Sequence, residues 1–191
     1  MKLMLFRNIR RKQDIRTCCH ALAMLLLFAV SSSSHAAFET SLSTGQIEKV
    51  LEQYFPLNEY AAFARMEMHR PQVRLVNGNE KIVLIVPVVA NIVGGEKHQG
   101  HATISVSLAY KPHIGGVYFS QPELLELAIP GVDGQMQSAL KGIIDVMSQN
   151  SFPVVKIYTV KERMLNHTLA KSTLKSFRVA DDKLHLVIGF K

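Results

Sequence analysis

The sequence predicts an α+β domain in which a curved antiparallel β-sheet wraps around one long α-helix, with a short N-terminal helix and a C-terminal β-hairpin. Two observations predict this class. Between residues 63 and 129, apolar residues form successive short runs separated by Pro, Gly and Asn, as strands do. From Gly134 to Gln149, apolar residues instead recur at helical spacing, and Asp133 stands before them as a cap.

A capping box predicts the short N-terminal helix. Ser43 can accept a hydrogen bond from the backbone of Gln46, and the Gln46 side chain can reach back to Ser43. Apolar residues then recur at helical spacing up to Pro56; they are Ile47, Val50, Leu51 and Tyr54.

The first strands of the sheet follow this helix. Phe63 to Met68 and Val73 to Val76 are predicted as strands separated by Pro71. The next strand, Lys81 to Val93, is apolar on both faces, and its Pro87 indicates an edge or a bulge. Some of this apolar surface needs a second cover, whether protein, partner or ligand.

Two further strands complete the predicted sheet. Ala102 to Tyr110 alternates apolar and polar residues, so one of its faces is expected to be solvated. Val117 to Ile129 is interrupted at Pro122, and its second half is also compatible with a helix. The aromatic pair near its start and the Pro-Gly stop after it favour a strand.

The C-terminal segments are predicted in the same way. Phe152 to Tyr158 is a strand, and a second capping box, Thr159 with Glu162, predicts a helix that contains Met164, Leu165 and Leu169. The terminal hairpin is predicted to consist of Leu174 to Val179, a turn at Asp181-Asp182, and Leu184 to Phe190.

Residues 1–36 are predicted to be a cleavable signal peptide. Six basic residues and one acid precede the uncharged run Ala21 to Val30, which is shorter than the roughly 20 residues that span a bilayer. The small residues Ser34 and Ala36 favour cleavage between Ala36 and Ala37. We therefore expect a periplasmic protein with a single domain from residue 37 to residue 191, and an uncleaved anchor is the alternative.

Removing this leader changes the interpretation of charge. The leader contains six of the 22 basic residues and one of the 15 acidic residues. Residues 37–191 therefore contain 16 basic and 14 acidic residues, which gives a net charge of +2. This balance does not indicate a nucleic-acid partner. Cys18 and Cys19 both precede the apolar run, whereas a lipoprotein cysteine follows it. Neither a disulfide nor a lipid anchor is therefore expected, and we expect no transmembrane segment in the mature chain.

The order of the predicted elements resembles that of a known family. The residues on which this resemblance rests are Ser43 to Ile47, Gly116 to Phe119, the helix residues Met136, Leu140 and Ile144, Phe152 to Val155, and the closing hairpin. In these residues the sequence resembles the YceB-like family of Gram-negative envelope proteins, a domain of unknown function. The resemblance implies a fold similar to the tubular lipid-binding (TULIP) proteins, in which a curved sheet packs around a long helix and leaves an apolar groove. The sequence departs from the family at Ala37, where relatives commonly have a lipoprotein cysteine.

Histidines are the candidate metal ligands. His98 and His101 lie in or beside the predicted hairpin turn and His113 lies in the next turn, so three imidazoles could bind zinc, with Glu96 as a fourth ligand. Turn histidines are more commonly only solvated, and we expect no metal and no cofactor.

Paired carboxylates are the candidate acid and base. Glu123 with Glu126, or Asp181 with Asp182, could serve in general acid-base catalysis. A solvated strand and a turn explain these pairs better, and the sequence has no nucleophile motif and no phosphate-binding loop. We therefore expect a protein that is not an enzyme.

Apolar surface is the remaining functional signal. Side chains of three strands and the long helix could line a groove for a lipid or another apolar small molecule, although an ordinary closed core would use the same residues. The candidate groove residues are Leu84, Val86, Val88, Ile104, Val106, Leu108, Leu125, Leu127, Met136, Leu140, Ile143, Ile144 and Met147. We expect a non-enzymatic protein that binds an apolar ligand between sheet and helix. The alternative is an envelope interaction module whose strand Lys81 to Val93 pairs or packs against a partner protein.

Overall fold

Seven strands form one strongly curled antiparallel sheet. The computed structural model describes residues 37–78, 81–161 and 172–190, within a compact unit that runs from Ala36 to Lys191. The spatial order of the sheet is β2 (Leu57–Tyr60), β3 (Ala64–Met68), β5 (Ile82–Ile92), β6 (Lys97–Lys111), β7 (Gly116–Ala128) and β8 (Lys156–Thr159). A short strand, β4 (Gln72–Arg74), pairs with β5 next to β3.

The described residues contain two α-helices, α1 (Thr44–Leu51) and α2 (Gly134–Ser151). The long helix α2 contacts β7 and also contacts β2 and β3 at the opposite end of the strand order. In a flat sheet β2 and β7 would lie about 19 Å apart, which is wider than one helix. The sheet therefore curls around α2, and the predicted class is confirmed as α+β with a curled antiparallel sheet and one long helix.

Both helices begin at the predicted caps. The Ser43 hydroxyl accepts a hydrogen bond from Gln46 N at 3.3 Å, and the Gln46 side chain accepts one from Ser43 N at 2.8 Å. At the start of α2, the Asp133 carboxylate accepts a hydrogen bond from Met136 N at 2.9 Å. These bonds satisfy N–H groups that lack a helical carbonyl partner.

A second sheet of three strands was not predicted. It has the order β1 (Phe38–Ser43), β10 (Lys183–Phe190) and β9 (Ser172–Ala180). The predicted C-terminal hairpin is present as β9 and β10, and its turn residues Asp181 and Asp182 have φ values of 50° and 54°. Two consecutive positive φ angles are typical of a tight hairpin turn that matches the twist of its strands.

Strand β5 lies inside the sheet, so the edge position suggested by Pro87 is wrong. The strand pairs with β6 on one side and with β4 and then β3 on the other. Pro87 lies between these last two partners, and its carbonyl accepts a hydrogen bond from His69 N at 2.8 Å. The proline therefore faces a break in the partner strand, where its missing N–H removes no ladder hydrogen bond.

One hydrophobic core runs through the unit. Its buried residues extend from Leu42 to Ile188 and come from both sheets and both helices. On β5, the inner side chains Leu84, Val86 and Val88 are buried, while Val83 and Ile85 on the other face are half-buried. The described core belongs to the compact unit Ala36–Lys191.

Several element bounds differ from the predicted ones. Strand β6 begins at Lys97, earlier than predicted, and a 3₁₀ turn at Phe152–Val154 precedes the short strand β8. The helix predicted after Thr159 and the signal peptide of residues 1–36 lie outside the described residues.

Candidate functional site

The inner face of the curled sheet brings most of the candidate groove residues together. Leu84 pairs directly with Ile104 across β5 and β6, and Val86 pairs with Ala102; such cross-strand partners share one face. Nine of the thirteen candidates are buried, namely Leu84, Val86, Val88, Ile104, Val106, Leu127, Leu140, Ile144 and Met147. Leu108, Met136 and Ile143 are partly buried and pack against them. These residues meet as a packed core.

Leu125 does not join this face. The β6–β7 register runs from Thr103↔Glu126 to Ile104↔Leu124, so Leu125 is the extra residue of a β-bulge. A bulge reverses the expected alternation of faces. Leu125 is consequently 49% exposed, and Leu124 packs against the core in its place.

Helix α2 is buried unevenly along its length. In residues 134–142 the buried residue is Leu140, whereas the second half of the helix buries Ile144, Met147 and Ser148. Phe152 follows directly, and its ring centroid lies 6.0 Å from that of Phe55 and 6.4 Å from that of Phe119. The helix is thus anchored at its C-terminal end and packed more loosely over its first two turns.

Two glutamine side chains fasten α2 to the edge of β7. Gln137 Nε2 donates to the Leu127 carbonyl at 2.7 Å, and Gln149 Nε2 donates to the Pro122 carbonyl at 2.8 Å. In the part of the chain that the structure describes, no ion pair involves α2. Apolar contacts and a few neutral hydrogen bonds therefore hold the helix in place.

Two open depressions flank the first half of α2. The one on the β7 side has a volume of about 340 Å³, and its lining residues are Leu125, Glu126, Leu127, Gly134, Gln137, Ser138 and Lys141. The one on the side of the β2–β3 turn has a volume of about 230 Å³, and its lining residues are Phe63, Asp133, Gln135, Met136 and Ala139. Ligand pockets commonly occupy about 300–1,000 Å³. The larger depression is at the lower end of this range and the smaller one is below it.

Exposed apolar side chains lie at the β2–β3 and β5–β6 turns, and one of them, Phe63, lines the smaller depression. We call Tyr60, Phe63 and Val93 the apolar rim; their exposed fractions are 68%, 37% and 71%. Val93 N donates to the Phe63 carbonyl at 3.0 Å, which joins the β2–β3 turn to the β5–β6 turn. The Arg65 guanidinium lies 5.2 Å from the centre of the Tyr60 ring. Sequence reasoning missed this rim, because single exposed apolar residues in turns leave no pattern in the sequence.

The candidate histidines lie apart. His98 and His101 are on β6 itself, so their spacing of three puts them on opposite faces of the strand. His113 follows the far end of that strand, about 40 Å away at the rise of an extended chain. His98 lies beside the β5–β6 turn as expected, whereas His101 lies within the strand because β6 starts earlier than its alternation indicated.

The candidate carboxylates have ordinary partners. Lys81 Nζ donates to Glu123 Oε2 at 2.7 Å, and the Ser105 hydroxyl lies 3.4 Å from the same oxygen. The hydrogen bond and the charge of Lys81 lower the pKa of Glu123, with a smaller contribution from Ser105. Glu126 is exposed, and Asp181 with Asp182 forms the β9–β10 turn. This arrangement stabilises an anionic Glu123, which suits a surface ion pair better than a proton donor.

No α-helix among the described residues is long and apolar enough to span a membrane. The comparisons with known proteins identified neither a protein-family model nor a curated protein that matches this sequence.

Proposed function

We propose that this chain is an exported, non-enzymatic binding protein that takes up a lipid or another apolar molecule between the curled sheet and the first half of α2. The uneven burial of α2 is the observation that supports this best. The inner face of the sheet is apolar, and the part of the helix that covers it most loosely is flanked by two depressions. Outward movement of the first two turns would join these depressions into one groove.

The energetics of such a movement are favourable for a long apolar ligand. Displacing the first turns of α2 exposes Leu140 and Met136 and breaks the Gln137 hydrogen bond. Each methylene of an acyl chain that replaces them contributes about 0.8 kcal/mol through burial. A chain of ordinary lipid length can therefore compensate for the displaced residues without any charged residue, cofactor or metal in the site.

The resemblance to the YceB-like and TULIP proteins supports the same proposal. It implies that the space between sheet and long helix is the ligand site. In this proposal, residues 1–36 direct the chain to the periplasm, and Ala37 at the cleavage position leaves the domain without the lipid anchor that relatives commonly carry.

An envelope interaction module is the second candidate. Pairing through β5 is unfavourable because both of its edges are already paired. One edge of β7 favours a partner, since from Ser120 onwards β7 pairs with no strand on the α2 side within the described residues. The exposed Leu125 lies on this stretch. An extended peptide of a partner protein could add a strand there if it displaced the Gln137 and Gln149 side chains from the Leu127 and Pro122 carbonyls.

A pair of tryptophan substitutions tests the binding proposal. Met136 lines the smaller depression and is partly buried, whereas Val146 lies on the exposed side of the same helix. Residues 37–191 are purified from the periplasm, and native mass spectrometry with lipid extraction identifies any retained molecule. Palmitate and phosphatidylglycerol are then titrated into the delipidated domain. We expect Met136→Trp to weaken binding about tenfold or more, and Val146→Trp to leave it unchanged.

Two outcomes would contradict the proposal. One is a domain that carries no apolar molecule and ignores both added lipids. The other is an equal effect of the two substitutions, which would put any bound lipid on the surface of the domain. If a strand-forming peptide bound instead and Leu125→Lys abolished that binding, the interaction module would be the function.

A further inference from the structure

Three lysines lie at the end of the unit where β6, β7 and β8 meet, and two of them share a face with Tyr118. Lys111 Nζ lies 4.3 Å from the centre of the Tyr118 ring. Lys156 is the cross-strand partner of Tyr118, so the two side chains lie on the same face of the sheet. Lys161 is exposed, and the Val160 N–H next to it donates to the Gly115 carbonyl at 2.8 Å.

These side chains share the outer face of the sheet. Lys111 pairs with Gly116, and Gly116 pairs with Thr159. Thr159 and Lys161 are exposed and Val160 between them is buried, so Lys161 points to the same side as Thr159. We call Lys111, Tyr118, Lys156 and Lys161 the lysine face.

The lysine face contains no acid within its own segments. Residues 107–122 and 146–161 include three lysines and one histidine, and neither stretch includes Asp or Glu. Helix α1, which contacts β8, contains Glu48 and is followed by its C-cap Glu52; Glu48 accepts a hydrogen bond from Val73 N at 2.8 Å, and Glu52 pairs with Arg70. Glu162 follows Lys161 and lies outside the described residues. Among the described residues, no acid forms an ion pair with these three lysines.

An exposed aliphatic side chain accompanies this charge. Ile114 is 53% exposed in the turn between β6 and β7. The turn closes at Gly115, whose φ of 59° suits glycine, and the hydrogen bond from Val160 holds it beside Lys161. Ammonium groups, a tyrosine and a projecting isoleucine are the combination with which peripheral proteins contact a lipid surface.

We propose that the lysine face docks the protein on an anionic phospholipid bilayer, with Ile114 entering the interface. The positive charge of these lysines favours an anionic partner, since each lysine near such a surface adds to its attraction. An acidic protein would satisfy the lysines equally well, but it gives no reason for an exposed isoleucine among them. This docking surface is separate from the α2 groove and does not depend on it.

Flotation with lipid vesicles tests this proposal, using residues 37–191. Vesicles of phosphatidylcholine are compared with vesicles of equimolar phosphatidylcholine and phosphatidylglycerol. We expect binding only to the anionic vesicles, and weaker binding as salt rises. The double variant Lys111→Gln/Lys156→Gln should lower the partition coefficient about 30-fold. The control Lys97→Gln/Lys183→Gln removes the same charge from exposed positions elsewhere and should change it much less.

Ile114→Ser separates a membrane from a soluble polyanion. It should weaken vesicle binding severalfold and leave binding to polyglutamate unchanged, and thermal unfolding of every variant checks that it is folded. Equal binding to neutral and anionic vesicles, equal losses in the two double variants, or binding to polyglutamate without binding to vesicles would overturn the proposal. If the protein bound anionic vesicles but did not bind palmitate, the α2 groove proposal would fail and the lysine face proposal would stand.

Discussion

The contact between Lys81 and Glu123 gives the surface of the sheet a dependence on pH. The two residues join the start of β5 to the middle of β7 across the outer face, with Ser105 of β6 between them. The neighbouring ammonium group lowers the pKa of Glu123 below its ordinary value of about 4.5. A carboxylate whose pKa is lowered in the folded state stabilises that state above the unfolded pKa, and this contribution is lost as the pH falls through the folded value.

Glu123→Gln should therefore reduce stability at neutral pH and have almost no effect in acid. Urea unfolding of the wild type and the variant at about pH 7 and about pH 3 measures this difference. The effect is expected to be small because the pair is exposed to solvent. Glu126→Gln, on the same strand, is the control and should leave the midpoint unchanged at both pH values. A destabilisation of Glu123→Gln that persists in acid would show that the ion pair is not its cause.

The cap of α2 is a second contribution from a single residue. Asp133 satisfies the Met136 N–H in the half of the helix that is least buried. Asp133→Ala should lower the free energy of unfolding by about 1 kcal/mol, measured by urea denaturation. Asp145→Ala removes an exposed carboxylate in the same helix that makes no described ion pair, and it should change stability by less than about 0.5 kcal/mol. Equal effects of the two substitutions would mean that helix charge matters and the cap does not.

At the scale of elements, two glycines have opposite roles. A Cβ at Gly100 would lie 2.1 Å from the Ala128 carbonyl oxygen and 2.9 Å from Ile129 Cα, where β7 leaves the sheet towards α2. Backbone atoms cannot move aside as a flexible side chain does, so Gly100→Ala should destabilise the protein by about 1–3 kcal/mol. A Cβ at Gly142 of α2 meets nothing within 4 Å, and Gly142→Ala should stabilise the protein by about 0.5–1 kcal/mol. Thermal unfolding measures the change in stability caused by each substitution. Changes of the same sign would contradict the opposite roles of the two glycines.

The elements that the sequence predicted well are those with long apolar patterns. β5, β7 and α2 were predicted within a few residues because burial imposes a repeat over many positions. β1 and β2 were missed because they are short and largely exposed, so their pairing with neighbours depends on tertiary structure.

The sequence predicted which residues of the candidate site are apolar, but it did not predict how the strands align them. The sequence identified which strand faces and which helix stripe are apolar, and most of these residues do meet. The bulge that turns Leu125 outward, and the early start of β6 that separates His98 from His101, depend on register between strands. Register is fixed by the partner strand, and alternation within one strand does not reveal it.

At the scale of the molecule, the curled sheet surrounds a core and α2 covers the open side of the sheet. The two halves of α2 are packed against this core to different extents. Its second half is fixed by Ile144, Met147 and the aromatic contacts of Phe152, which belong to the main core. Its first half is held by Leu140, by the cap at Asp133 and by Gln137. Segments with few buried contacts open at lower free energy than the core on which they rest.

Hydrogen exchange tests whether this difference permits the groove to open. In the free protein, amides of residues 138–142 should exchange about tenfold faster or more than those of residues 144–150, because only the latter require the core to open. A bound acyl chain should change exchange mainly in residues 138–142 and in the inner strands that they cover, and should leave residues 144–150 unchanged. Uniform protection along α2, with or without lipid, would mean that the helix opens only with the whole domain. The inner face of the sheet would then be core alone, and β7 would be the better candidate for the functional surface.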